Sequence, residues 1–300
     1  MSLAELPLHG FERATSLADA CATLSRRAGK GEETVLVAGG TDWVVSQRLA
    51  PLSLGGELPL VLDVSRVPEL LGVKIAGERA AIGAAATYLE LRHHSALSRR
   101  VPMLTAMARD VGALQIQARG TLGGNLATAS PAADGSAALM ALDADVVVAS
   151  VHGERRIPIG QWFTGYRRTA RAADEIIARI EFTLPKTGAH QVWRKVGTRA
   201  AQSISKVALA AVGEYERGRC VRVGLGMGSV APVTAALPTV RALAVSPGPL
   251  AVSDDQLDAA VRRDIAPIDD VRSTAAYRAH VASALVRGFF RTLRPVSNVG

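Results

Sequence analysis

Two pairs of consecutive glycines carry the clearest chemical signal in this sequence. Gly39-Gly40 follows the β-branched run Thr34-Val35-Leu36-Val37, and Gly123-Gly124 lies in Gly120-Thr121-Leu122-Gly123-Gly124-Asn125-Leu126. Adjacent glycines bring bare backbone amides close to an anion, with no Cβ in the way. Each pair precedes a small polar residue, Thr41 or Asn125. Two such turns can grip the two phosphates of a pyrophosphate, or they can be tight turns and nothing more. The spacing alone does not choose between them.

Other near-motifs carry less. Gly224-Leu225-Gly226-Met227-Gly228-Ser229 ends in serine where a dinucleotide fingerprint needs glycine, and Pro232 follows, so it reads as a glycine-bearing strand. The glycines are nowhere followed by the G-K-[ST] of a P-loop. Lys186-Thr187-Gly188 and Ser203-Ile204-Ser205-Lys206 stand in the wrong order for a penicillin-binding serine enzyme. His93-His94 is adjacent, whereas metal ligands on a helix want i, i+3 or i+4. Cys21 and Cys220 can neither build a disulfide framework nor hold an iron–sulfur cluster by themselves.

The elements that must position the glycines follow from periodicity. Residues 12–28 read as a helix with Leu17, Ala20, Cys21 and Leu24 on one stripe, capped by Thr15 or Ser16. Thr34–Val37, Val61–Val64, Ala80–Ala84, Val146–Val148 and Glu175–Leu184 read as strands. Residues 87–98 and 102–114 read as helices. Lys186-Thr187-Gly188 is the best domain boundary. Beyond it, residues 191–197, 206–216 and 221–225 alternate as strands, and Ser253–Arg294 is mostly helical.

The chain has 300 residues, 48% hydrophobic and 21% charged, which suits about two globular domains. Its net charge is +8, and only five of the 35 cations are lysine. The arginines are scattered, stacking aromatics are few and no nucleic-acid module is recognisable, so a protein partner surface explains them better than a nucleic acid. A signal peptide and a membrane-inserting segment are both missing from the pattern, so the expectation is a cytoplasmic protein.

Val37-Ala38-Gly39-Gly40-Thr41-Asp42-Trp43 and Thr121-Leu122-Gly123-Gly124-Asn125-Leu126-Ala127-Thr128-Ala129-Ser130-Pro131 closely resemble the FAD-binding medium subunit of the xanthine dehydrogenase / carbon monoxide dehydrogenase family of molybdenum hydroxylases. Ile82-Gly83-Ala84 with Thr87-Tyr88, and Asp269-Asp270-Val271-Arg272-Ser273 with Tyr277-Arg278, resemble two further family segments, so the likeness runs nearly the whole chain. It implies an α+β fold: a two-subdomain FAD-binding domain of the PCMH type over 1–185, divided at about 57/58, then a smaller C-terminal domain of antiparallel sheet and helices over 189–297.

The same resemblance assigns residues. Val37, Ala38, Gly39, Gly40, Thr41 and Asp42, with Thr121, Gly123, Gly124 and Asn125, would hold the FAD pyrophosphate. Thr128 and Asp134 would contact the cofactor, Asp134 by accepting from ribose or ribityl hydroxyls. Ile176 and Ile177 would line the flavin, and Lys195 would set a cation beside it. Ser203 departs from the family, whose xanthine-type members carry an acid there, which bears on the electron acceptor. The implied function is an electron-transfer subunit. Electrons would arrive from iron–sulfur clusters on a small subunit, pass through FAD to NAD+ or another acceptor, and originate at a large molybdopterin subunit, in a dimer of heterotrimers. Two alternatives from other classes are a stand-alone FAD oxidoreductase and a non-catalytic nucleotide-binding assembly subunit.

Overall fold

The structure is a computed structural model, and it describes residues 10–49, 59–217 and 219–293. Its first layer is a parallel three-stranded sheet. Leu60–Asp63 lies between Phe11–Arg13 and Thr34–Val37, and all four of its residues are buried. A central parallel strand is covered on both faces, hence the continuous run Leu60-Val61-Leu62. The helix over Leu17–Ala28 packs Ala20, Cys21 and Leu24 against this sheet.

The start of that helix corrects the sequence reading. Residues 11–13 form a strand in register with Val61–Asp63, and the helix begins only after Ser16, whose hydroxyl accepts the Asp19 amide at 3.1 Å. The Asp19 carboxylate reaches back to the Thr15 amide at 2.8 Å. The cap, not the apolar stripe, sets the boundary.

The second layer is a five-stranded antiparallel sheet, ordered Val73–Ala76, Arg79–Gly83, Ile176–Thr183, Asp145–Ser150 and Gly153–Pro158. The helices Pro102–Asp110, Leu122–Thr128 and Asp134–Ala141 share one large apolar core with it. Many arginines find their use on this sheet. Arg179 forks onto Glu154 through two 2.7 Å bonds and reaches Glu181 at 2.7 Å, while Arg156 meets Glu181 at 3.1 Å. A planar guanidinium satisfies two carboxylates at once, which an ammonium does not. The charges also leave the edge strand Gly153–Pro158 a poor template for pairing with another chain.

The C-terminal layer is an antiparallel sheet of His190–Val196, Val207–Glu216 and Arg219–Gly228, backed by the helices Pro238–Val245, Asp254–Asp264 and Ala275–Thr292. The helix Asp134–Ala141 is buried along its whole length and packs against this sheet as well as the core of the five-stranded layer. Gly224 and Gly226 make that possible, since a Cβ at Gly226 would stand 2.0 Å from the Ala137 carbonyl oxygen. The glycine series that imitates a dinucleotide fingerprint is therefore a strand, as its sequence suggests. The mixed helix-and-sheet architecture agrees with the expected α+β class.

Candidate functional site

The first glycine motif joins a strand to a helix. The Val37 carbonyl accepts the Val64 amide at 2.9 Å, Ala38 packs on the core below, and the helix Thr41–Leu49 starts at once. Gly40 has φ +73°, a left-handed turn that glycine adopts without strain. A Cβ on Gly39 would lie 2.1 Å from the Arg119 carbonyl oxygen, so this loop presses directly onto the chain leading to the second motif. Among the described residues, the amides of Gly39, Gly40, Thr41 and Asp42 donate to no acceptor. These are the free donors of a helix start, where the macrodipole favours negative charge.

The second motif is not the open turn that its glycines suggest. Thr121 pairs with Thr87 and caps the helix Leu122–Thr128, its hydroxyl accepting the Gly124 amide at 3.0 Å. The Gly123 amide bonds the Ala84 carbonyl at 2.9 Å, and the Asn125 amide bonds the Thr121 carbonyl at 3.0 Å. Three amides expected to face an anion are thus committed internally. The roles of the glycines also separate. A Cβ on Gly123 would meet Ala84 at 2.6 Å, whereas Gly124 is exposed and its added Cβ would meet only Thr121 Oγ1, at 2.9 Å. Asn125 Oδ1 is buried with no partner in the protein. Thr128 Oγ1 donates to Asp42 Oδ2 at 2.9 Å and ties the two motifs together.

Asp134 and Lys195 form one unit. Lys195 Nζ lies 2.5 Å from Asp134 Oδ2, with both side chains under 10% exposed, and it also donates to the Asp110 carbonyl at 2.9 Å. Ser205 Oγ donates to Asp134 Oδ1 at 2.7 Å. Burial pushes the Asp134 carboxyl up, and Lys195 and Ser205 pull it partly back. Two of the roughly four acceptor positions on this carboxylate are taken, so fewer remain for sugar or ribityl hydroxyls. The Lys195 charge is likewise compensated by a carboxylate instead of standing alone. Ile176 and Ile177, expected to line the flavin, are 2% and 5% exposed and belong to the packed clusters on the two sides of the sheet. Ser203 donates to the Arg199 carbonyl at 3.2 Å, in a loop that forms a small cavity with Lys195 and Asp110.

Some residues here escape a reading of the sequence. The Tyr88 hydroxyl is buried without a partner, and burial, then the Asp134 and Asp42 charges, push its phenol well above the ordinary value. Ser205 and Asp110 are also part of the site; Asp110 holds Trp193 Nε1 at 2.8 Å through its carboxylate. The one signal for Ser205 was its place in the segment that contains Ser203.

This arrangement fits a dinucleotide. Four free amides at a helix start suit phosphate oxygens, and the orphaned Asn125 and Tyr88 oxygens suit a ligand rich in hydroxyls and ring nitrogens. The comparisons point the same way. Residues 7–186 match the family described as the FAD binding domain in molybdopterin dehydrogenase, and residues 193–293 match the CO dehydrogenase flavoprotein C-terminal domain. The chain is 28% identical to the nicotine 6-hydroxylase medium subunit of Paenarthrobacter nicotinovorans, over 94% of this chain and 96% of that one. It is 34% identical to the nicotinate dehydrogenase FAD-subunit of Eubacterium barkeri, over 57% of this chain and 58% of that one. The structure of reconstituted CO dehydrogenase from Oligotropha carboxidovorans superposes with a TM-score of 0.85 at 25% identity, covering 94% of this chain and 96% of the other. The likeness thus extends through both glycine motifs to the C-terminal helices, and the chain belongs to the FAD-binding medium subunits of the xanthine dehydrogenase / carbon monoxide dehydrogenase family, oxidoreductase subunits of the molybdenum hydroxylases.

Proposed function

We propose that this chain is the electron-transfer subunit of a molybdenum hydroxylase made of small iron–sulfur, medium flavin and large molybdopterin subunits, paired as a dimer of heterotrimers. The observation that carries this reading is the set of free amides from Gly39 to Asp42, held against the second motif by the Asp42–Thr128 bond. Bound FAD supplies the exchange between one-electron donors and a two-electron acceptor such as NAD+.

The residues of this chain do the holding. The Gly39–Asp42 amides bind phosphate oxygens, with Gly124 leaving room beside them. Asn125 and Thr128 orient polar groups of the ligand. Asp134 would accept hydroxyls through its remaining lone pairs, and Lys195, with two donors spent on Asp134 and the Asp110 carbonyl, would keep a third for the cofactor. The Gly197–Ser203 loop, which carries a serine in place of the family acid, borders the approach of the electron acceptor. The relatives, one a medium subunit and the other an FAD-subunit, support the same assignment.

Co-expression tests the proposal. With iron–sulfur and molybdopterin subunits, the chain is expected to purify as one complex that carries all three chromophores: flavin, iron–sulfur and molybdenum. Alone, it is expected to bind FAD and to oxidise neither aldehydes nor aromatic heterocycles. Turnover of such a substrate by the isolated chain at about 1–10³ per second would make it a stand-alone flavoenzyme.

A further inference from the structure

A chain of hydrogen bonds runs from the C-terminal motif to the candidate flavin site. Arg278, on the helix Ala275–Thr292, is 3% exposed. Its Nη1 donates to the carbonyls of Lys206 and Ser229, each at 2.9 Å. Its Nη2 donates to Asp270 Oδ1 at 2.6 Å, the one carboxylate that meets this guanidinium among the described residues. Asp270 is itself fixed: the Arg272 and Ser273 amides donate to the same oxygen at 2.9 and 3.1 Å. From Ser229, the hydroxyl donates to the Ser205 carbonyl at 2.9 Å and the amide donates to the Pro131 carbonyl at 2.8 Å. The Ser205 hydroxyl then donates to Asp134.

The links from Arg278 to Lys206 and Ser229, from Ser229 to Ser205 and from Ser205 to Asp134 join distant stretches of chain and are buried or partly buried. Lys195 reaches Asp134 from the strand His190–Val196, while Ser205 reaches it from the loop before Val207–Glu216. The side of the carboxylate away from Lys195 is therefore oriented by a segment that Arg278 holds at the Lys206 carbonyl and the Ser229 hydroxyl holds at the Ser205 carbonyl. A buried guanidinium bridging two carbonyls holds its geometry only while its counter-charge stays in place.

We propose that Asp270 and Arg278 are positioning residues for the flavin cradle: they fix the Ser205 segment, and Ser205 sets the orientation of the Asp134 carboxylate toward the bound cofactor. The role rests on the reading of this site as the FAD site. It gives the C-terminal domain control of cofactor affinity from beyond the glycine motifs, and it gives the motif Asp269-Asp270-Val271-Arg272-Ser273 a purpose other than turn formation.

The test uses the full chain, stripped of flavin and titrated with FAD. Ser205→Ala is expected to weaken FAD binding about tenfold, the loss of one hydrogen bond to a charged group. Asp270→Asn keeps an oxygen for the Arg272 and Ser273 amides but removes the counter-charge, and it is expected to weaken binding about threefold to tenfold. Both should change the visible circular dichroism of the bound flavin. The double variant should bind no worse than Ser205→Ala, because both changes act through one hydroxyl. Wild-type FAD affinity and flavin dichroism in Ser205→Ala would overturn the proposal. So would strictly multiplicative losses in the double variant, or a fall in the apoprotein melting temperature of Asp270→Asn with FAD affinity unchanged. If the wild-type chain bound no FAD at all, the reading of the site itself would fall instead.

Discussion

Gly39→Val is expected to abolish FAD retention and to destabilise the FAD-side domain. The added Cβ would stand 2.1 Å from the Arg119 carbonyl oxygen and 3.0 Å from Gly120 Cα, both backbone atoms that no rotamer change can move. The loop must lift off the second motif. Overpacking of this kind costs about 1–3 kcal/mol or more. Lifting the loop also withdraws the free amides of Gly39–Asp42 and stretches the Asp42–Thr128 bond that holds the motifs together. The expected result is a colourless protein after purification, with FAD affinity lowered at least a hundredfold, about 2.7 kcal/mol. Titration of the purified variant with FAD checks the affinity, and a thermal melt of the flavin-free form checks the destabilisation. A yellow, fully loaded Gly39→Val protein would show that the two loops need not touch.

Lys195→Met is expected to destabilise the chain by about 3–5 kcal/mol at neutral pH, because it leaves the buried Asp134 carboxylate without its counter-charge. The pH dependence has a definite sign. Burial already raises the Asp134 carboxyl in the native protein, and removing the ammonium raises it further. An acid whose folded value lies above its unfolded value, about 3.9 for aspartate, binds more protons when folded. Folding of the variant therefore loses stability as pH rises from the unfolded value through the folded one. Measured against wild type, the deficit should shrink as the pH is lowered from 7 toward 5. Paired urea melts at several pH values check this, and a deficit independent of pH would mean that Asp134 is not the group left exposed to the loss.

The sequence carries most of the fold because the strands are bounded by strong turn signals and their residues are buried in simple patterns. Ile176–Thr183 and Leu60–Asp63 read correctly because β-branched and apolar residues dominate them and most of their positions are buried. Phe11–Arg13 is not legible as a strand because all three residues are exposed, and what makes them a strand is their pairing to Val61–Asp63, far along the chain. In the site, the two glycine pairs are legible because each is followed by a small polar residue, Thr41 or Asn125, within a segment that resembles the family. Which glycine does what is not. Gly39 and Gly123 are glycine because backbone from Arg119 and Ala84 lies against them, a tertiary fact that sequence spacing does not encode. The second pair reads as a turn, and only the Thr121 cap reveals it as the start of a helix that spends its own amides. Asp134 and Lys195 are each legible singly and Ser205 is not, and the union of the three in one buried unit depends on a sheet from the C-terminal domain reaching the FAD-side helix Asp134–Ala141.

Gly124 gives the most direct test that these two motifs cradle FAD, because of the four motif glycines it alone is exposed, and its backbone is helical. Valine there displaces no backbone; the nearest protein atom to its Cβ is the rotatable Thr121 hydroxyl. The loss of that cap is offset in part by the removal of a glycine from a helix. The measurement is a fluorescence titration of flavin-free wild-type and Gly124→Val protein with FAD, alongside their melting curves. The expected result is one FAD per wild-type chain, and in the variant at least a tenfold weaker affinity with a melting temperature within about 5 °C of wild type. Gly124→Val protein that binds one FAD as tightly as wild type would contradict the placement of the cofactor between Gly39–Asp42 and Thr121–Asn125.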